Sequence, residues 1–86
     1  PEDVHVRARR GRLLVELQRP GEALADIDAC LATAPRDCDL LAIRGIALSQ
    51  MRRFEAALAA YDAALNIDDQ RPELFFNRAL PLEELG

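Results

Sequence analysis

The chain has 86 residues, which is enough for one small domain. Half of it is apolar, only 5% is aromatic and Trp is absent, and the dominance of Ala and Leu over β-branched residues favours helix packed on helix. A formal net charge of −4 argues against general nucleic-acid binding, no apolar run approaches the ~20 residues of a membrane span, and the opening PEDVHVRARR lacks the apolar core of a secretory signal.

A cytoplasmic location is therefore expected. The missing initiator Met suggests a processed chain or an excerpt. In chain order, DVHVRARRGRLLVELQ places Val6, Arg10, Leu13, Leu14 and Leu17 at helical spacing. QRPG breaks that pattern, because Pro and Gly punctuate turns. EALADIDACLATA then carries Leu24, Ile27, Cys30 and Leu31 on one stripe. PRD closes it, and Asp37 is suited to cap the next helix. CDLLAIRGIALSQM and FEAALAAYDAALNI repeat the pair, and after DDQR comes Pro72, placed for the first turn of a fifth helix.

The chain matches itself when shifted by 34 residues. Ala8, Arg10, Gly11 and Leu14 fall on Ala42, Arg44, Gly45 and Leu48. Asp28, Ala29 and Leu31 fall on Asp62, Ala63 and Leu65, and a further step carries Leu40, Arg44 and Leu48 onto Leu74, Arg78 and Leu82. A helix pair of this kind cannot bury its apolar face alone, so successive pairs must stack.

Each first helix holds a small residue (Gly11, Gly45, Ala79) with a large one three positions on (Leu14, Leu48, Leu82). The second helices hold Ala23 with Ile27 and Ala57 with Tyr61, and Pro35 closes the first unit. This arrangement resembles the tetratricopeptide repeat over the whole chain, and FNRALPLEELG is similar to longer bacterial arrays of that kind. The resemblance implies an all-α fold of five helices, with antiparallel 34-residue pairs stacked as an α-solenoid in a right-handed superhelix. There are departures. The Trp position holds Arg7, Leu41 and Phe75, and the Leu before the small residue is Arg10, Arg44 and Arg78. In this register residues 1–3 are the closing turn of a preceding unit, 4–37 the first repeat, 38–71 the second and 72–86 the first helix of a third. Phe75, Leu82 and Leu85 would face an absent partner helix, so this surface is expected to be covered by another copy of the chain or by residues outside the sequence.

The resemblance also implies a concave groove lined by the first helix of each unit. Carried over by position, its lining is His5, Ala8, Arg9, Arg12 and Glu16 on the first helix, with Arg9 and Arg12 as a basic end, then Asp39, Ala42, Ser49 and Gln50 on the second unit and Glu73, Glu83 and Glu84 on the third. Ile43, Ile46, Phe76 and Leu80 form an apolar middle, with Asn77 among them and acidic residues beyond. A peptide with an apolar anchor and opposite charge polarity would suit it. The carboxylate clamp that binds chaperone tails is not matched, because its positions hold Ala8, Arg12, Ile43, Glu73 and Asn77. Asn77 sits where glycosyltransferase arrays of this family carry an asparagine ladder, but its equivalents here are Arg9 and Ile43.

No catalytic pair, phosphate loop or metal motif is present, and His5 has no neighbours at ligand spacing, so no enzyme activity, metal or cofactor is expected. Cys30 and Cys38 read as buried thiols in a reducing compartment. Arg7, Arg9, Arg10 and Arg12 point several ways around a helix without interleaved aromatics, which argues for structural ion pairing over nucleic-acid contact. The recurring Arg10, Arg44 and Arg78 with Asp28 and Asp62 predict at least one Arg–Asp contact between neighbouring helices. Pro81 predicts a kink near 77–81 or an early helix end. The leading functional expectation is a protein-interaction scaffold. The alternatives are a substrate-presenting arm of a larger enzyme such as a glycosyltransferase, and a self-assembling spacer.

Overall fold

The computed structural model describes residues 3–86; Pro1 and Glu2, in the expected closing turn, lie outside the described residues. Five helices follow in order: α1 Val4–Glu16, α2 Pro20–Thr33, α3 Cys38–Gln50, α4 Phe54–Ile67 and α5 Pro72–Leu85. No strand occurs among the described residues. The first helices of the two complete pairs are capped alike. Asp3 accepts from the His5 amide at 2.8 Å, and Asp37 accepts from the Leu40 amide at 3.1 Å. α2 begins two residues earlier than the sequence pattern suggested. Pro20 opens it because a fixed φ and a missing N–H cost nothing in a first turn.

The ends of the first helices also repeat. Gln18 and Arg52 take φ of 61° and 62°, and Gly86, at the next 34-residue step, takes 81°. The Arg19 amide donates to Leu14 O at 2.8 Å and the Gln18 amide to Val15 O at 3.1 Å. Arg53 to Leu48 and Arg52 to Ser49 reproduce this pattern, both at 2.9 Å. This is the Schellman closure, which satisfies the last carbonyls of a helix with a left-handed residue.

The helices pack as an asymmetric stack. α3 touches α1, α2, α4 and α5, whereas α2 and α4 touch only the helices adjacent to them in sequence. The first helices α1, α3 and α5 therefore lie side by side on one face, with α2 and α4 behind them. The molecule measures 42 × 25 × 17 Å. Two core clusters fill it, one around Leu14, Ile27 and Ile43, the other around Leu48, Tyr61 and Leu74.

The small residues work more specifically than a general thinning of the helix crossing. A Cβ on Gly11 would stand 2.7 Å from Ile27 Cδ1, and one on Gly45 would stand 2.5 Å from Tyr61 Cε1. Each glycine thus seats the large side chain of its own second helix, and Ile27 and Tyr61 are buried there.

The first unit uses a different lock from the second. Asp26, 6% exposed, accepts from Arg10 Nε at 2.8 Å, from Arg10 Nη2 at 2.9 Å and from Arg7 Nε at 3.1 Å. One repeat later the Arg7 and Asp26 positions hold Leu41 and the buried Ala60. The same crossing is therefore ionic in one pair and apolar in the next. The Arg10 guanidinium, then Arg7, holds the Asp26 carboxyl below its ordinary value against the opposing effect of burial.

One expectation is corrected here, and one of the two outcomes expected at Pro81 is removed. Val6, Leu13 and Leu17 belong to the apolar stripe of α1 but stand exposed; Gly11, Leu14 and Val15 are the residues that turn inward. Their equivalents Leu40 and Ala47 are buried because α3 has a second helix, α2, on that side. Nor does α5 end early at Pro81. The helix continues to Leu85 with Pro81 fully buried at the place of Ala47, so packing offsets the hydrogen bond that the Asn77 carbonyl cannot receive.

Candidate functional site

The groove-facing positions of the first helices are related by the repeat. Arg12, Ile46 and Leu80 occupy one register position, and Arg9, Ile43 and Asn77 another. A cavity of about 500 Å³ opens between α3 and α5, lined by Ile46, Ser49 and Gln50 from α3, Tyr61 from α4, and Phe76, Asn77, Ala79, Leu80 and Glu83 from α5. Four of the seven groove residues expected from sequence, Ile46, Phe76, Asn77 and Leu80, are brought together there. Phe76 is 81% exposed, an unusual position for a large aromatic side chain.

Arg9 and Arg12 lie apart from them. With His5 and Ala8 they line a smaller depression of about 230 Å³ on α1. Ile43 lines neither hollow. It is 7% exposed and packs in the first core cluster with Val15, Leu40 and Ala47. The reason is topological: α3 has α1 on one side and α5 on the other, so its outward position is covered where those of the end helices are not.

The floor of the α3–α5 cavity contains polar atoms that the apolar pattern did not reveal. Gln50 donates from Nε2 to the Val15 carbonyl at 3.0 Å, across from α3 to α1. Its Oε1 is buried, with no hydrogen-bond partner among the described residues. The Ser49 hydroxyl is in the same condition. It neighbours the Tyr61 phenol, whose pKa is raised by burial with Ser49 as a smaller, opposing influence. The repeat register marks both in the sequence as groove positions, and the structure places both in the lining of this cavity.

The Arg–Asp expectation is met twice. Arg44 donates to Asp28 at 2.8 Å and Arg78 to Asp62 at 2.7 Å, each joining a second helix to the first helix of the following pair. Arg71 adds a further bridge, to Asp39 and to Asp68, and its pKa is raised, first by the Asp39 contact. Of the basic cluster on α1, Arg7 and Arg10 are engaged with Asp26 while Arg9 and Arg12 face the hollow. Both cysteines are free and buried, and burial pushes both thiols up. Among the described residues no His, Cys, Asp and Glu side chains converge as a metal site, and no helix is long and apolar enough to cross a membrane. On the outer side of α5, Phe75, Leu82 and Leu85 are each about half exposed.

No protein-family model matches the chain, and no curated protein matches it. A solved structure of a mutant of MamA, a tetratricopeptide-repeat protein, superposes on it with a TM-score of 0.90 at 22% sequence identity. The match covers 100% of this chain and 47% of that one, so this chain spans about half the length of its structural neighbour. The fold is an all-α solenoid of the tetratricopeptide type.

Proposed function

We propose that this chain is a protein-interaction module that holds a partner segment along the face formed by α1, α3 and α5. The observation that carries this reading is the α3–α5 cavity, where Ile46, Phe76 and Leu80 leave apolar surface open on the same face as Arg9 and Arg12. An apolar anchor of the partner enters that cavity, and acidic groups of the partner lie toward α1. The two hollows belong to equivalent register positions, so one extended or helical segment can follow both. Association between copies through Phe75, Leu82 and Leu85 is a subordinate part of the proposal, supported by their exposure. No observation on this chain favours a substrate-presenting arm of an enzyme.

The test is a peptide array probed with the protein and with its Ile46→Asp variant, both checked for helical content. Peptides captured by the parent and lost by the variant support the groove. Peptides bound equally by both overturn it. Light scattering showing a strict monomer at high concentration removes the self-association.

A further inference from the structure

We infer that the partner segment is bipolar: past its apolar anchor, on the side away from α1, it carries a cationic group that meets α5. This rests on the groove reading above and specifies the partner's charge. The fold engages most of its arginines itself. Arg44, Arg71 and Arg78 tie helices together, and Arg7 and Arg10 hold Asp26. Arg9 and Arg12 enter no ion pair among the described residues, and neither do Glu73 and Glu83.

These four charges lie on the groove face, sorted by sign. Arg9 and Arg12 line the α1 hollow, which no carboxylate lines. Glu16, one turn beyond Arg12, leaves them in the majority there. At the other end Glu83 lines the α3–α5 cavity, which no Arg or His lines, and is itself exposed. Glu73 stands exposed in the first turn of α5, at the register of His5. Asp39 and Glu84 on the same face are paired with Arg71 and Arg52. A second acidic group beyond the anchor would meet Glu73 and Glu83 as like charges. A cation there meets them favourably and leaves the walls of Ile46, Phe76 and Leu80 to the anchor. Neighbouring helix axes stand about 8–10 Å apart, so α1 and α5 lie roughly 20 Å apart. An extended segment spans that with about six residues at ~3.3 Å each.

The experiment is an NMR titration of the isotope-labelled chain, at low and at high salt, with two peptides of one composition. Acetyl-Glu-Glu-Ser-Leu-Ser-Lys-Lys-amide has its charges separated, and acetyl-Glu-Lys-Ser-Leu-Ser-Glu-Lys-amide has them mixed. Both are neutral overall, so the net charge of the chain acts on the two alike. The expected result is movement of the Ile46, Phe76 and Leu80 signals by both peptides. The separated peptide should bind about fivefold tighter at low salt, and the gap should close at high salt. A Glu73→Lys, Glu83→Lys double variant of parental helical content should abolish the gap. It should also bind a diacidic peptide, acetyl-Glu-Glu-Ser-Leu-Ser-Glu-Glu-amide, more tightly than the parent does. If the two neutral peptides bind the parent equally, or if the double variant keeps the gap, the bipolar partner is wrong while groove binding stands. If no peptide moves any cavity signal, both readings fall.

Discussion

Arg44 Nε donates to the Asp28 carboxylate at 2.8 Å, tying the first helix of the second pair to the second helix of the first. Arg78 and Asp62 repeat that bond one period later at 2.7 Å. These links cross between units, so they specify how one pair is set against the next. Their side chains are one-third to one-half exposed, which limits their energy. A double-mutant cycle on Arg44→Ala and Asp28→Ala should give a coupling of about 0.5 kcal/mol. It should shrink when the ionic strength is raised. A coupling of zero at low salt would remove the bridge as a register device.

The two glycine seats should respond differently to a methyl group. At Gly45 the added Cβ meets a rigid, fully enclosed ring, with Tyr61 Cε1 at 2.5 Å and Cζ at 2.7 Å. At Gly11 it meets the end of a flexible side chain, Ile27 Cδ1 at 2.7 Å. Alanine gains about 1 kcal/mol over glycine in a helix interior, which a small adjustment of Ile27 would preserve. Gly45→Ala should therefore lower stability by about 1–2 kcal/mol, while Gly11→Ala stays close to the parent. Urea unfolding of the two variants compares them, and equal losses would contradict the argument.

The ionic lock of the first pair can be exchanged for the apolar one of the second. Asp26→Ala alone strips the acceptor from Arg7 and Arg10 and should cost about 1–2 kcal/mol, less than a fully buried pair because both arginines reach solvent. Adding Arg7→Leu reproduces the Leu41 and Ala60 arrangement and should recover most of that loss. Thermal melts of the single and double variants decide it.

Acid should act through the same aspartate. Its folded pKa is depressed, so its contribution is present above the unfolded carboxylate pKa of about 3.9 and disappears as the pH falls through the lower folded value. At the alkaline end, Cys30 and Cys38 have raised folded pKa values, so the unfolded chain loses its thiol protons first. Stability should therefore also decline above about pH 8.5. The acid loss should be absent in Asp26→Ala. An unchanged acid limb would show that other carboxylates dominate it.

Gln18, with φ of 61°, occupies the left-handed position that Arg52 fills one period later and Gly86 two periods later. Its side chain is exposed, so Gln18→Gly should raise stability by about 0.5–1 kcal/mol. Arg52→Gly should gain less, because Arg52 also lies over the Phe54 ring at 5.2 Å. Denaturant midpoints of the two variants test the order.

The sequence alone determined the period, the helix pairs, the Asp37 cap, the glycines at the crossings and the Arg–Asp recurrence, because each is a local pattern or a spacing along one chain. Tertiary structure alone decided which face of each repeated pattern is covered. Ile43 shares its register with Arg9 and Asn77, yet it is core, since α3 is flanked on both sides. Val6 and Leu13 share theirs with Leu40 and Ala47, yet they are exposed, since α1 has no helix on that side among the described residues. The pairing of Arg10 with Asp26, where Arg44 and Arg78 reach the preceding pair, has the same origin. So does the orientation of Gln50, set by a carbonyl 35 residues away. Periodicity repeats a residue's direction on its helix, but burial and hydrogen bonding depend on what stands opposite, and that changes from the middle of a stack to its ends.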